Sequence, residues 1–489
     1  MDKTIQAYYT NSDTITNYMV DRLDLSQSDC ILEPSVGEGV FVENILNRIQ
    51  DVSITTYDID DYSYNVMNSK FSEFHNVEVI KSDTLLDVDL DLRVSTNQGF
   101  SKIIGNPPYG AKYDLNYKKK LNKKYQSIYT KDSYILFFLR CLSLLEESGK
   151  LVFIIPDTFL FLNLHQKFRE ILFNNFVVEE IAIFPSKWFP GISFAYSNLS
   201  IITVRNDKEG IPENIIKVYD TLTSDDEFNK IVAGVNVAHK LISQKSILTQ
   251  SNVNLHLNQE VENIINNSEL TLGDLADCVT GIYTGDNKKY LKVRDISVRN
   301  SKGYDIVVDS DIFTECANIN GTDVPNSYIP LVKGSLKTPY HKPEVDWYIR
   351  WDKSAINDYH VFKKARFQNS SYYFKYGIAT PMLKSKKVRA CLMEDSVFDQ
   401  SIVGIFPKKT SDLLFILALL NSTIVNEIIH SINPTVNNSA NYLKRIPIPK
   451  INEIERQQLN KLVLGIVDNH EDNQRELDEL FDRLYAKLR

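Results

Sequence analysis

Apolar positions in the first two hundred residues keep two alternating rhythms. Short β-branched or aromatic runs at Cys30–Glu33, Ile54–Tyr57, Val77–Ile80, Ser101–Gly105, Leu151–Ile155, Ile181–Phe184 and Leu199–Val204 read as strands. Between them lie stripes at helical spacing. Thr14, Ile15, Tyr18, Met19 and Leu23 form one, and Val40, Phe41, Ile45, Leu46 and Ile49 form another. Further helices are expected over Asp132–Glu147, stopped by Ser148-Gly149, and over Phe159–Phe173. Strands that alternate with helices predict an α/β fold: a Rossmann-like, mostly parallel sheet covered on both faces. From about 206 to 268 the rhythm loosens into Asn- and Ser-rich sequence that reads as a linker. Leu270-Thr271-Leu272-Gly273-Asp274-Leu275 then opens a second unit with few long helices and turn clusters such as Thr284-Gly285-Asp286-Asn287. Helical stretches over Asp412–Ile429 and Glu453–Leu488, the latter broken near Asn469, close a mixed α+β half. The expected division is 1–245 and 246–489.

The polar residues just past the strand ends carry the chemistry, because ligands of open α/β sheets bind at that edge. Glu33 ends the first strand, Gly37-Glu38-Gly39 makes a tight turn, and Asp58 and Asp83 follow the second and third strands. Glycines let a ligand approach the backbone, and an acid after the second strand suits ribose hydroxyls. The full G-x-G-x-x-G pattern is absent, and Glu38 at the helix start would repel a phosphate. A nucleoside without phosphates, such as S-adenosylmethionine, fits better, with Asp83 facing an adenine amine. The fourth strand ends in Asn106-Pro107-Pro108-Tyr109. Its prolines fix φ and remove two donors while keeping their carbonyls as acceptors. An amide, carbonyl acceptors and a ring on one stiff corner suit a planar group with an exocyclic amine.

Length and composition change this picture little. At 489 residues, 43% hydrophobic and 24% charged, the chain fits a globular protein of two or more domains. Five widely spaced cysteines and scattered histidines suggest neither a disulfide framework nor a metal site, and fit a reducing cytoplasm. No apolar run reaches membrane length, and the first residues lack a signal-peptide core. A net charge of −8 means that any nucleic-acid contact must use local basic patches. Three stretches qualify: Lys118, Lys119, Lys120, Lys123 and Lys124; Lys363, Lys364 and Arg366; and Lys384, Lys386, Lys387 and Arg389.

In order, Tyr9-Thr10, Glu33-Pro34-Ser35-Val36-Gly37-Glu38-Gly39-Val40-Phe41, Asp58, Asp83 and Asn106-Pro107-Pro108-Tyr109 resemble the motifs of gamma-class (TaqI-like) N6-adenine DNA methyltransferases. Asp132-Ser133-Tyr134 and the segment 149–156 resemble later motifs of that family. Leu272-Gly273-Asp274, Thr280–Lys289, Ala418-Leu419-Leu420-Asn421-Ser422, Asn433-Pro434-Thr435 and Ile446-Pro447-Ile448-Pro449 are similar to its target-recognition domains.

The resemblance implies that Thr10, Glu33, Ser35, Gly37, Gly39, Asp58, Ile59, Asp83 and Asn106 hold S-adenosylmethionine. Asn106 and the Pro107 carbonyl would accept hydrogen bonds from the target amine, beside Pro108. Tyr109 would stack on a flipped adenine through its ring more than its hydroxyl, with Phe194 or Tyr196 as the second wall. Double-stranded DNA is the implied partner, the second unit its reader, and a separate restriction endonuclease an expected companion by resemblance alone. Two rivals share the motifs: a methyltransferase of a glutamine amide or RNA base, and a non-catalytic DNA-specificity protein.

Overall fold

The computed structural model describes residues 12–109, 113–126, 128, 132–186, 198–220, 222–249, 259–315, 317–334, 336–383, 387–433 and 437–489. The chain divides into two compact units, Met1–Leu257 and Asn258–Arg489.

In the first unit nine strands form one sheet: β1 (Asp29–Glu33), β2 (Val52–Asp58), β3 (Val77–Lys81), β4 (Phe100–Gly105), β5 (Leu145–Pro156), β6 (Val177–Pro185), β7 (Asn198–Arg205), β8 (Ile215–Tyr219) and β9 (Lys240–Ser243). Their order is β3-β2-β1-β4-β5-β7-β6-β8-β9. β1 to β5 run parallel, β7 is antiparallel to both β5 and β6, and β9 is antiparallel to β8. The chain moves outward from β1 to β3 and returns to β4 on the other side of β1. That reversal opens a crevice past the carboxyl ends of β1 and β4, the usual ligand position in such sheets.

Flanking helices start where short polar side chains cap them. Ser12 accepts from Ile15 N–H ahead of α1 (Asp13–Asp21), Asp60 from Ser63 N–H ahead of α2 (Asp61–Lys70), and Asp114 from Tyr117 N–H ahead of α3 (Leu115–Lys124). The expected stripe of Ile15, Tyr18, Met19 and Leu23 is buried against the sheet core.

Four expectations need correction. The helix foreseen over Asp132–Glu147 spans Ser133–Ser143 and gives way to β5 at Leu145. Leu144 and Leu145 extend the helical stripe in sequence, yet Leu145 pairs with Phe100 in the sheet. Ser148, at φ +63°, and Gly149 turn the chain there, and Ser148 N–H donates to Asn206 O at 2.8 Å. The helix foreseen over Phe159–Phe173 is two short 3₁₀ turns followed by a helix at Gln166–Asn175. The guanidinium of buried Arg169 ties them by donating to the carbonyls of Phe159 and Leu162, each at 2.8 Å.

The segment 206–268 is not a linker, since it supplies β8, β9 and the helices Asp225–Val232, Gln244–Leu248 and Gln259–Asn267. Ile216 and Val218 alternate into the core, and Phe228 packs edge-on against Tyr18 and Phe184. A boundary at 245/246 would cut the helix Gln244–Leu248. Gln244 accepts from Val178 N–H at 3.0 Å and donates to the carbonyls of Phe173 and Phe176, so that helix belongs to the first unit.

The second unit holds two four-stranded sheets and a helical layer. One sheet joins Ala276–Thr280, Ile402–Pro407, Gly377–Pro381 and Cys391–Met393. The other joins Leu291–Val293, Trp347–Arg350, Tyr328–Val332 and Val397–Phe398. Helices Leu413–Asn421 and Thr423–Ile432 meet at a 74° bend, and Glu453–Asn469 ends in His470 at φ +55° before Gln474–Ala486. Among the described residues no single helix is long and apolar enough to cross a membrane. Ser370–Tyr372 is a 3₁₀ turn, and the chain continues into Phe374 at φ +60°. The rings of Tyr373 and Phe374 pack edge-on against Trp351.

Candidate functional site

A cleft of about 380 Å³ opens past the ends of β1, β2 and β4. Glu33, Ser35, Gly37, Asp58, Ile59, Asp83, Asn106 and Pro108 all line it, so the structure brings residues from four separate stretches to one place. Val36, Phe41 and Phe137 supply apolar wall. Such a mixture of apolar wall and a few convergent polar groups is typical of small-molecule sites.

Each acid is held differently. Glu33 is 2% exposed, and its Oε2 has no hydrogen-bond partner among the described residues. Burial, with the nearby Asp58 charge second, pushes its carboxyl well above the usual carboxylate range. A buried carboxyl oxygen without a donor is destabilising by itself, and a ligand that brings one would be favoured there. Asp58 accepts from Gly37 N–H and from Asp60 N–H, each at 2.9 Å, which pins the Ser35–Gly39 turn to the end of β2. Gly39, at φ +77°, could not be replaced: a Cβ would collide with Met67 Sδ and lie 2.8 Å from the Phe71 ring. Asp83 accepts from Leu85 N–H at 3.1 Å and from the Tyr117 hydroxyl at 2.9 Å.

β4 delivers the Asn-Pro-Pro-Tyr loop to the rim. Ser35 Oγ donates to Asn106 O at 3.3 Å, joining the loop to the glycine turn. Ser133 Oγ donates to the Pro108 carbonyl, whereas the Pro107 carbonyl has no hydrogen-bond partner among the described residues. Tyr109 differs from the expectation of an available ring. It is 2% exposed, lies edge-on to Tyr134, and its hydroxyl donates to Ile154 O at 2.7 Å. The same hydroxyl touches the Asn106 side-chain amide. The hydroxyl has one proton and faces two acceptors, the Asn106 side-chain oxygen and the Ile154 carbonyl. The hydroxyl thus sits between the Asn106 side chain and the end of β5.

Other expected residues fall elsewhere. Lys119, Lys120 and Lys123 are exposed on α3 and Lys118 is half-buried, while Lys124 pairs with Asp91 at 2.6 Å. Lys387 and Arg389 are exposed in the second unit. Thr10, Phe194, Tyr196, Lys384 and Lys386 lie outside the described residues. Sequence reading missed Tyr117 at Asp83, Ser133 at Pro108 and Phe137 in the cleft wall. The basic run around Tyr117 hid it.

Residues 38–189 match the family model described as Eco57I restriction-modification methylase. Type II methyltransferase M.HincII of Haemophilus influenzae is 30% identical over 186 residues, covering 37% of this chain and 34% of that protein. Type II methyltransferase M.AccI of Acinetobacter calcoaceticus is 23% identical over 276 residues, covering 54% of this chain and 48% of that protein. The chain thus spans between about a third and about a half of these curated relatives. A nuclease-deletion mutant of the Type ISP restriction-modification enzyme LlaGI, solved with a DNA substrate mimic, superposes with a TM-score of 0.56 at 13% identity. That likeness covers 95% of this chain and 55% of the other, and shows a shared fold. The expected methyltransferase-type α/β sheet followed by an α+β half is therefore the fold found.

Proposed function

We propose that this chain transfers a methyl group from S-adenosylmethionine to the N6 amine of an adenine in duplex DNA, as the modification activity of a restriction-modification system. One observation carries the reading: the buried carboxyl of Glu33, its Oε2 unpartnered among the described residues, and the Asn-Pro-Pro-Tyr loop share one cleft. The names of M.HincII and M.AccI support methyl transfer, and the family description supports a place in restriction-modification.

The cleft suits the cofactor on its own chemistry. Glu33 Oε2 has no donor among the described residues, which an ammonium or hydroxyl would provide, and Asp58 and Asp83 carry further acceptor oxygens along the strand ends. When bound, the cofactor supplies an electrophilic methyl group on a sulfonium sulfur. The chain's task is to make the amine reactive. The lone pair of adenine N6 is delocalised into its ring, so the amine is a poor nucleophile. Asn106 Oδ1 and the Pro107 carbonyl accept its two N–H groups, pull it towards tetrahedral geometry and stabilise the charge that develops. Ser133 already occupies the Pro108 carbonyl, which leaves Pro107 as the backbone acceptor. Tyr109, after loop movement, and Phe194 or Tyr196 would flank the base. Lys119, Lys120 and Lys123 would meet the DNA backbone, the second unit would read the sequence, and a separate endonuclease would complete the system.

Incubation with methyl-labelled S-adenosylmethionine and, separately, duplex DNA, RNA and a glutamine-bearing protein tests this. Label is expected in DNA alone. Label confined to RNA or protein contradicts it, and failure to bind the cofactor in a titration assigns the chain to the non-catalytic rival.

Two variants probe the machinery. Glu33→Gln should weaken cofactor binding and remove its pH dependence. In the wild type, affinity should rise with pH as the raised Glu33 carboxyl ionises to meet a cation or hydroxyl donor. Stability of the unliganded chain should move the opposite way. A raised folded-state pKa contributes stability fully below the unfolded value of about 4.3, and that contribution fades as pH rises through the folded value. Titration calorimetry and thermal melts across pH read both effects. Tyr109→Phe should lower turnover with little change in cofactor affinity. It removes a hydroxyl that contacts the Asn106 side-chain oxygen and donates to Ile154 O, a loss of roughly 1–3 kcal/mol. Wild-type turnover and melting in Tyr109→Phe would return the residue to a ring-only role.

A further inference from the structure

The second unit carries a cationic surface assembled from two turns that lie far apart in sequence. The first runs from Gly281 through Gly285 into the short helix Asn287–Tyr290, and the second is the segment 361–369 after the helix Lys353–Val361. They are fastened backbone to backbone. Arg366 N–H donates to Tyr283 O at 2.7 Å, and Tyr283 N–H donates to Arg366 O at 3.2 Å. The side-chain amides of Gln368 and Asn369 donate to the carbonyls of Gly281 and Thr280, each at 2.9 Å. At Gly285, φ is +77°, and a Cβ there would stand 2.9 Å from Ala365 N and 3.0 Å from Lys364 C. Only glycine lets the turns approach so closely.

This fastening sets the helix that carries Lys288 and Lys289 beside the turn that carries Lys363, Lys364 and Arg366, with the Lys288 amine lying over Gly303. Asp358 takes Lys289 at 3.0 Å, and Asp286 is engaged in capping the Lys289 N–H. Lys288, Lys363, Lys364 and Arg366 are exposed and form no ion pair among the described residues. In a chain with net charge −8, exposed cations on two interlocked turns create a local positive potential that favours a polyanion. Val361 and Phe362, 68% and 44% exposed, put apolar surface on the same turn.

We propose that these two turns together form a contact surface for the phosphate backbone of duplex DNA. The inference rests on the DNA reading above and adds a site in the second unit, separate from the lysines of α3. Anisotropy of labelled duplexes, with and without the methylated sequence, over a range of salt concentrations, tests it in the full chain. Lys363→Gln/Lys364→Gln/Arg366→Gln should weaken both duplexes about tenfold and reduce the salt slope by about 0.9 for each phosphate no longer neutralised. Its S-adenosylmethionine titration should match the wild type. Gly285→Ala, which removes no charge, should weaken DNA binding by parting the turns. Unchanged affinity and slope in the triple variant, while the wild type binds and methylates DNA, would overturn this surface and leave the methyltransferase reading intact. Capture of polyglutamate by these residues without duplex binding would also overturn it. A wild type that binds no duplex at any salt concentration refutes the DNA reading itself.

Discussion

Asn106→Ala is expected to lower methyl transfer by about 10²–10³-fold while cofactor titration stays close to wild type. The side chain comes from the loop after β4, whereas the acids follow β1, β2 and β3, and it contacts the Tyr109 hydroxyl. Alanine removes the acceptor that the amine needs as its geometry changes, a contact strongest in the transition state. Backbone support survives, because Ser35 Oγ bonds to the Asn106 carbonyl and not to its side chain. Glu33 and Asp58 keep their environment. Single-turnover transfer measured beside a cofactor titration separates the two effects. A proportional fall in both would mean that Asn106 mainly supports the cofactor, and near-normal turnover would remove it from the chemistry.

Exchange of the second unit should have the other large effect. Replacing 258–489 with the matching unit of a related enzyme that marks a different sequence should transfer the recognition sequence completely. The join follows the fold: cutting at 245/246 would break the helix Gln244–Leu248 and remove Ile247 from the first unit's core. The first unit alone, 1–257, should bind S-adenosylmethionine yet methylate no defined site. Sequencing that detects modified bases reads the outcome. An exchanged chain that still marks the original sequence would place the reader in the first unit.

The acids and the Asn-Pro-Pro-Tyr loop were legible because each directly follows a buried strand whose pattern is local. Parallel strands deposit such residues at one edge, and the observed order places Glu33, Asp58, Asp83 and Asn106 around one crevice. What was hidden depends on distant partners. Tyr117 reaches Asp83 across 34 residues, and Ser133 reaches the Pro108 carbonyl across 25. The role of the Tyr109 hydroxyl needed Ile154, 45 residues away. Secondary structure misled where one pattern served two elements: Leu144 and Leu145 continue the stripe of a helix but enter a strand. The segment 206–268 looked like a linker because strands near the end of a sheet are thinly apolar. In β8, Ile216 and Val218 turn inward, while Ile215 is exposed and Lys217 half-buried. The interlock of Gly285 with Ala365 joins residues 80 positions apart, beyond any local pattern.

The most direct test of the central claim is the identity of the modified nucleoside. DNA treated with the purified chain and S-adenosylmethionine bearing a deuterated methyl group is digested to nucleosides and weighed by mass spectrometry. The account predicts the heavy methyl on N6 of deoxyadenosine, at a defined sequence and absent with Asn106→Ala. Heavy methyl on deoxycytidine, or none on any nucleoside from a chain that binds the cofactor, would contradict it.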